Sequence, residues 1–166
     1  AMTVAHPQST IRNPNLKRGI GFASTLNVGG GARIYRSDGC GAIVKVDDFG
    51  HVSLITGSTE IGQGSETVLA QIVAEVLGVK VEDINVLNSD TDVKPWDVGV
   101  HASRTTFIAG NAAHLAALEA RRQIFETAAE LLKVTPDMLV ARDGMVIVAN
   151  DGAGERGGRG AGEMPL

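Results

Sequence analysis

The chain has a single cysteine, Cys40, in 166 residues. An internal disulfide is therefore excluded, and a lone thiol fits a reducing compartment, so the expected location is cytoplasmic. No apolar stretch approaches the ~20 residues that a membrane helix needs. The opening residues, Ala1-Met2-Thr3-Val4-Ala5-His6-Pro7, lack the apolar run of a signal peptide. There is no Lys/Arg-rich run and the net charge is −4, so neither nucleic acid nor membrane is an expected partner. The four histidines, His6, His51, His101 and His114, are scattered without metal-ligand spacing. Each reads as surface or structural, and no metal-ligating side chains are assigned. Two phosphate-binding signatures are also missing. Thr67 stands where the third glycine of a Gly-x-Gly-x-x-Gly fingerprint would be, and no Gly-Lys-Ser/Thr follows a strand.

What is present suits one globular domain. Hydrophobic residues make up 43% and charged residues 20%, in a chain long enough to bury a core. Residues 1–17 read as a polar lead-in, 18–149 as the folded domain, and 150–166 as a Gly-rich, disordered tail. From Gly19 to Tyr35 the pattern reads as extended, broken by Gly29-Gly30-Gly31. Ala42–Asp47 and His51–Thr56 are β-rich runs joined by Asp48-Phe49-Gly50, which predicts a hairpin. Val68, Leu69, Ile72, Val73, Val76 and Leu77 fall on one helical stripe, so a helix is expected over 66–77, ended by Gly78. Glu82–Asn88 reads as a third strand, and Ser89–Ser103 as a long loop. An alanine-rich helix is expected from Ser103 or Arg104 to about Leu132. Gly110 within it costs about 1 kcal/mol relative to alanine, which argues for a close neighbour or a later helix start. Asp143-Gly144 between two apolar runs predicts a second hairpin. The order predicts an α+β fold of two layers, with helices packed on one face of a mixed β-sheet.

Two segments carry the functional signal. Gly57-Ser58-Thr59-Glu60-Ile61-Gly62-Gln63-Gly64-Ser65-Glu66-Thr67 leads from a strand into a helix, with Gln63 between two glycines. Backbone without Cβ admits a ligand closely, and the free N–H groups of a helix start suit an anion. The same pattern occurs at purely structural turns. The second segment, Gly99-Val100-His101-Ala102-Ser103-Arg104-Thr105-Thr106, follows Asp90-Thr91-Asp92 and Pro95-Trp96-Asp97. Its hydroxyl and guanidinium groups could bind phosphate; the plainer reading is an N-cap by Ser103 with Arg104 solvated. Two such helix starts in one domain favour a single extended anionic ligand, touched from one side of the fold.

Thr59-Glu60-Ile61-Gly62-Gln63-Gly64-Ser65 with Ala70-Gln71-Ile72-Val73-Ala74, then Asp90-Thr91-Asp92, Ala102-Ser103-Arg104-Thr105-Thr106 and Gly110-Asn111-Ala112-Ala113, resemble the large subunit of the molybdenum hydroxylases. That is the xanthine dehydrogenase/aldehyde oxidase family, with a flavour similar to bacterial 4-hydroxybenzoyl-CoA reductase. The resemblance spans about residues 18–149 and points to part of the second molybdenum-cofactor-binding domain. It implies a molybdopterin cofactor, with the cytosine dinucleotide as one form, and molybdenum held by the pterin dithiolene rather than by side chains. It implies that Gln63 approaches the metal's oxo group, that Ile61, Gly62 and Gly64 offer backbone, and that Ala102, Ser103, Arg104 and Thr105 hold the phosphate end. It further implies iron–sulfur and flavin subunits and the rest of the molybdenum subunit as partners. The family's catalytic glutamate lies in a Lys-Gly-x-Gly-Glu loop far downstream. Gly160-Ala161-Gly162-Glu163 resembles it, but the intervening sequence is absent, so no catalytic residue is assigned. On this reading the chain is a fragment or split subunit, inert alone and retaining no cofactor alone. The alternative is a non-catalytic α+β assembly module that self-associates as a homo-oligomer.

Overall fold

The computed structural model describes residues 17, 19–26, 29–30, 37–149 and 163–165. Two strands, β1 (Ala42–Val46) and β2 (Val52–Thr56), form an antiparallel hairpin in the register Ala42↔Thr56 to Val46↔Val52. The chain then enters α1 (Ser65–Leu77) and returns in β3 (Ile84–Leu87), parallel to β2. This gives a mixed three-stranded sheet in the order β1-β2-β3. The inward residues of the sheet are Ala42, Val44, Val46, Val52, Leu54, Ile84 and Val86. They pack against Leu69, Val73 and Leu77 of α1 and Ala109, Ala113 and Ala117 of a second helix, α2 (Thr105–Leu132). Both helices therefore lie on one face, as the α+β pattern predicted. The opposite face carries a row of apolar side chains across all three strands, because Ile43 is paired with Ile55 and Ile55 with Leu87. Ile43 and Leu87 there are 48% and 41% exposed.

Helix α2 has 28 residues, a length of roughly 42 Å at 1.5 Å per residue, and it serves two cores. Its alanines at 109, 113 and 117 recur every four residues and let α1 and the sheet come close. Its second half packs Ala128 and Ala129 against Leu139 and Val146. Those two residues belong to β4 (Leu139–Arg142) and β5 (Met145–Val148), which with β6 (Glu163–Pro165) form a separate antiparallel sheet. Asp143 and Gly144 turn the hairpin, both with positive φ (53° and 73°), the signature of a two-residue type I′ turn. Gly78 ends α1 at φ 66° and its N–H bonds the Ala74 carbonyl. A Cβ there would come within 2.4 Å of the Ala141 carbonyl oxygen, so this glycine both caps the helix and lets the second sheet dock.

Several expectations shift. Residues 81–83 form a 3-10 turn, so the third strand is four residues long, and Met138 closes another 3-10 turn rather than opening β4. Gly110 lies inside α2, and the close neighbour is real: a Cβ on it would lie 3.0 Å from Ile72 Cδ1. Described residues 19–26 form no strand, and Ile20, Phe22 and Leu26 are almost wholly exposed. The reason is that no partner strand is hydrogen-bonded to them among the described residues. The tail was read as disordered over 150–166, yet 163–165 pair with β5. Alternation of composition hid this strand, since Gly-rich flanks mask a three-residue run. The lead-in 1–16, residues 18, 27–28 and 31–36, and the tail residues 150–162 and 166 lie outside the described residues. No described helix is long and apolar enough to cross a membrane.

Candidate functional site

Strand β2 ends in Thr56, fully buried, and the chain crosses Gly57 beneath the 95–97 loop. A Cβ on Gly57 would meet the Pro95 and Trp96 carbonyl oxygens at 2.7 Å, so only glycine allows this approach. Ser58 follows, 1% exposed, and its Oγ has no hydrogen-bond partner. The loop then wraps around one carboxylate. Glu60 Oε1 accepts the N–H groups of Gly62 (2.7 Å) and Gly64 (3.0 Å), and Oε2 accepts the Ser65 hydroxyl (3.1 Å) and the Glu66 N–H (3.2 Å). The Gly64 N–H foremost, with those of Glu66 and Gly62 and the Ser65 hydroxyl, holds Glu60 down to a pKa of about 2, against an opposing cost of desolvation second only to the Gly64 bond. The anion-attracting start of α1 is thus filled by the chain's own carboxylate.

Gln63 is folded into the same loop. Its Oε1 accepts the Ile61 N–H at 2.6 Å, and its Nε2 donates to the Thr59 carbonyl and to Ser65 Oγ, both at 3.1 Å. Gly62 (φ 97°) and Gly64 (φ 80°) face open space, with nothing within 4 Å of an added Cβ. Ile61 is 69% exposed. The backbone of 61–64 is therefore bare toward the outside and tightly tied within.

At the second helix start Ala102 and Ser103 both take positive φ (50° and 51°). Left-handed backbone costs about 1–2 kcal/mol for a residue with a Cβ, and such strain gathers at functional segments. Gly30 N–H donates to the Ala102 carbonyl (2.9 Å) and helps hold this turn. Arg104 is the N-cap residue, without a side-chain cap. Its guanidinium is buried. Nε donates to Asp38, Nη1 to both oxygens of Asp97 (2.9 and 3.1 Å) and to the Gly99 carbonyl, and Nη2 to the Gly39 carbonyl. Burial works against its charge, but the Asp97 and Asp38 carboxylates outweigh it and raise its pKa. Arg104 was expected either to face a phosphate or to be solvated. It does neither; it is a strut that ties residues 38–39 and 97–99 to the start of α2. Ser103 is exposed, Thr105 buried at 9%.

The two helix starts share one edge. The 95–97 loop rests on Gly57 at the end of β2, and Asp97 is bonded to Arg104 at the start of α2. Lys94 Nζ donates to the Gly57 carbonyl and Thr59 Oγ1, and Asn88 Nδ2 to Glu66 in the first turn of α1. Along the helices, Ile72 meets Gly110 and the Val76 carbonyl meets Arg121. Contacts that advance in the same order mean that α1 and α2 run in the same general direction. Their N-termini therefore lie at the same end.

Sequence reasoning passed over Glu60, Ser58 and the Asp38/Asp97 pair. Glu60 carried a signal, a carboxylate two and four residues before glycines that end in a helix start, the spacing of local Asx-like side-chain-to-backbone bonds. Asp38 is 66 residues from Arg104, and nothing local announces it. Cys40 lies against this cluster. Burial, then a hydrogen bond to Asp97, pushes its thiol pKa up, which makes it a poor nucleophile. Among the described residues no group of three or more His, Cys, Asp or Glu is placed to hold a metal ion.

Comparison with known proteins shows the family of the chain. Residues 3–159 match the family model of the molybdopterin cofactor-binding domain. The 6-hydroxypseudooxynicotine dehydrogenase complex subunit gamma of Paenarthrobacter nicotinovorans is 39% identical over 129 residues, covering 78% of this chain and 16% of that protein. The putative xanthine dehydrogenase molybdenum-binding subunit XdhA of Escherichia coli (strain K12) is 37% identical over 139 residues, 81% of this chain and 18% of the relative. Among solved structures, quinoline 2-oxidoreductase from Pseudomonas putida 86 superposes with a TM-score of 0.62 at 36% identity, over 65% of this chain and 14% of that one. The Cu,Mo-CO dehydrogenase superposes with a TM-score of 0.65 at 29% identity, over 75% and 16%. The chain thus spans less than a fifth of the length of these relatives.

Proposed function

The chain belongs to the molybdopterin cofactor-binding domain family, and from that premise we propose that its loop-bearing edge contributes part of the cofactor shell of a xanthine dehydrogenase-like molybdenum hydroxylase. The observation that carries this reading is the shared edge: the 57–65 loop and the 99–105 segment are joined through Asp97, Lys94 and Gly57. When bound, the molybdenum cofactor supplies the oxidation–reduction chemistry. This chain's residues bind and orient it.

The donor set fits such a ligand selectively. Bare backbone at Gly62 and Gly64 with open space outside suits a flat polar ring system laid over Gln63. A second negative charge does not suit that loop, because Glu60 already fills the nest of N–H groups. Arg104 offers no free cation either. The phosphate end, whether of the simple pterin or of the cytosine dinucleotide, is therefore assigned to the segment Ala102–Thr105, where the positive end of the α2 dipole favours an anion. Gln63 as it stands commits both amide hydrogens within the loop. Donating to an oxo group means releasing one of them, a net cost of about 0.5–1.5 kcal/mol. No catalytic residue is assigned on this chain.

The partners on this reading are the remainder of a molybdenum subunit with iron–sulfur and flavin subunits, in the cytoplasm. The partly exposed apolar row Ile43–Ile55–Leu87, uncovered among the described residues, supports a covering surface of that kind; alone, the same surface supports self-association. A shell open on one side does not bury the 70–90% of ligand surface typical of good sites, so weak cofactor retention by this chain alone is part of the proposal. The test is isolation of the native protein from its source, with pterin and molybdenum assayed in the purified material. Both are expected with partner subunits, and reduced by Gln63→Ala together with Ser103→Pro. Stoichiometric partner subunits without pterin would overturn the reading.

A further inference from the structure

We infer that Glu60 is the positioning residue of the cofactor-facing loop: its carboxylate is a built-in anion that shapes the backbone from Gly62 to Glu66 and thereby sets where Gln63 is presented. For its functional value the inference rests on the reading of the loop just given; its structural content does not. The argument begins with the donors. Three backbone N–H groups and one hydroxyl converge on two oxygens of one side chain. Two of those N–H groups belong to glycines in left-handed conformations, and alternating such residues turns successive N–H groups to one side. The third is at the start of α1, whose dipole favours a negative charge. The N-cap, Gly64, has no side chain to satisfy the helix, so Glu60 does this from four residues upstream.

Gln63 depends on the same arrangement. Ser65 Oγ, which donates to Glu60, accepts from Gln63 Nε2. Gln63 Oε1 accepts the N–H of Ile61, the residue next to Glu60. The amide is thus tied on one side to a hydroxyl that the carboxylate holds, and on the other to the Thr59 carbonyl and Ile61 N–H that flank Glu60 in the chain. Charge-assisted hydrogen bonds are roughly twice as strong as neutral ones, and no other ion pair holds Glu60 among the interactions described. The loop is exposed and packs little side-chain surface of its own, so its shape follows from this polar wheel rather than from the core.

The experiment uses the full chain without cofactor, labelled for NMR, and reads amide hydrogen exchange at Gly62, Gly64 and Glu66. Glu60→Ala is expected to raise exchange at these amides about tenfold or more, the loss of a hydrogen bond to a charged group, while Leu69 and Val73 in the core of α1 keep their protection. Sodium acetate is expected to restore protection in Glu60→Ala by filling the vacated nest, with no effect on the wild type. Glu60→Gln, which turns an amide NH₂ toward N–H donors, is expected to lose protection and not to be rescued. Unchanged exchange at the three amides in Glu60→Ala would overturn the inference. So would equal loss across α1, or failure of acetate to restore the loop. Absence of pterin from the native complex would sink the proposed function but leave these exchange results intact, so the two failures are distinguishable.

Discussion

At the scale of single residues the site is made of charges that satisfy each other inside the protein. Arg104 is the clearest case. Removing one partner of a buried ion pair leaves an uncompensated charge and costs about 3–5 kcal/mol. Arg104→Ala is therefore expected to lower stability by that amount in urea unfolding, with the 95–104 segment losing order first. Asp97→Asn, which keeps the shape and removes a charge, should be milder. Glu60 makes a pH prediction. Its pKa is held near 2 against an ordinary value of 4.5, so the loop contacts are present above about 4.5 and are lost as pH falls through about 2. The Gly64 amide shift should be flat from neutral pH to about 4 and move with a midpoint near 2. A midpoint at the ordinary carboxylate value would refute the contact. Neither partner of these charges was legible beforehand. Side-chain chemistry left Arg104 as a phosphate binder or a solvated cation, because Asp38 and Asp97 are brought to it only by folding.

At the scale of elements, boundaries followed from local physics wherever a cap or a turn is encoded. Gly78 and Asp143-Gly144 fixed a helix end and a hairpin, and both stand. The same glycine carries a non-local role, since β4 backbone presses on it. Gly78→Ala combines a left-handed alanine, about 1–2 kcal/mol, with a clash against the Ala141 carbonyl. The expected loss exceeds 2 kcal/mol and should appear as a lower denaturation midpoint with an unchanged slope. On α2, Arg122 is bonded to Glu119 (2.6 Å) and Glu126 (2.5 Å), and the Arg122 bond foremost, with one from Gln123, pulls Glu119 down to about 2. Exposed pairs of this kind contribute little, so Arg122→Ala should leave the unfolding midpoint nearly unchanged. The short strands failed the reverse way. The strand expected from Glu82 starts only at Ile84, because Glu82 and Asp83 are poor strand residues and close a 3-10 turn instead.

At the scale of the molecule, one face of the first sheet is a core and the other is, among the described residues, partly exposed. Ile43, Ile55 and Leu87 line up there, and Phe107, Leu115 and Leu131 stand out on α2 at 63–65% exposure. The pure chain is expected to self-associate, with sedimentation at about 100 μM showing more than monomer, a concentration at which weak contacts populate. Ile55→Lys should shift it toward monomer. A clean monomer in the wild type at that concentration would count against this.

By itself the sequence determined the class of fold, the two helices and their stops, the first hairpin, and the two loops that carry the family resemblance, because periodicity, glycine turns and loop motifs are local. Only the tertiary structure decided that both loops meet at one edge, that a carboxylate of the chain fills the first helix start, and that Arg104 points inward. Those outcomes depend on groups brought together across dozens of residues, and no local pattern encodes which charge will find which partner.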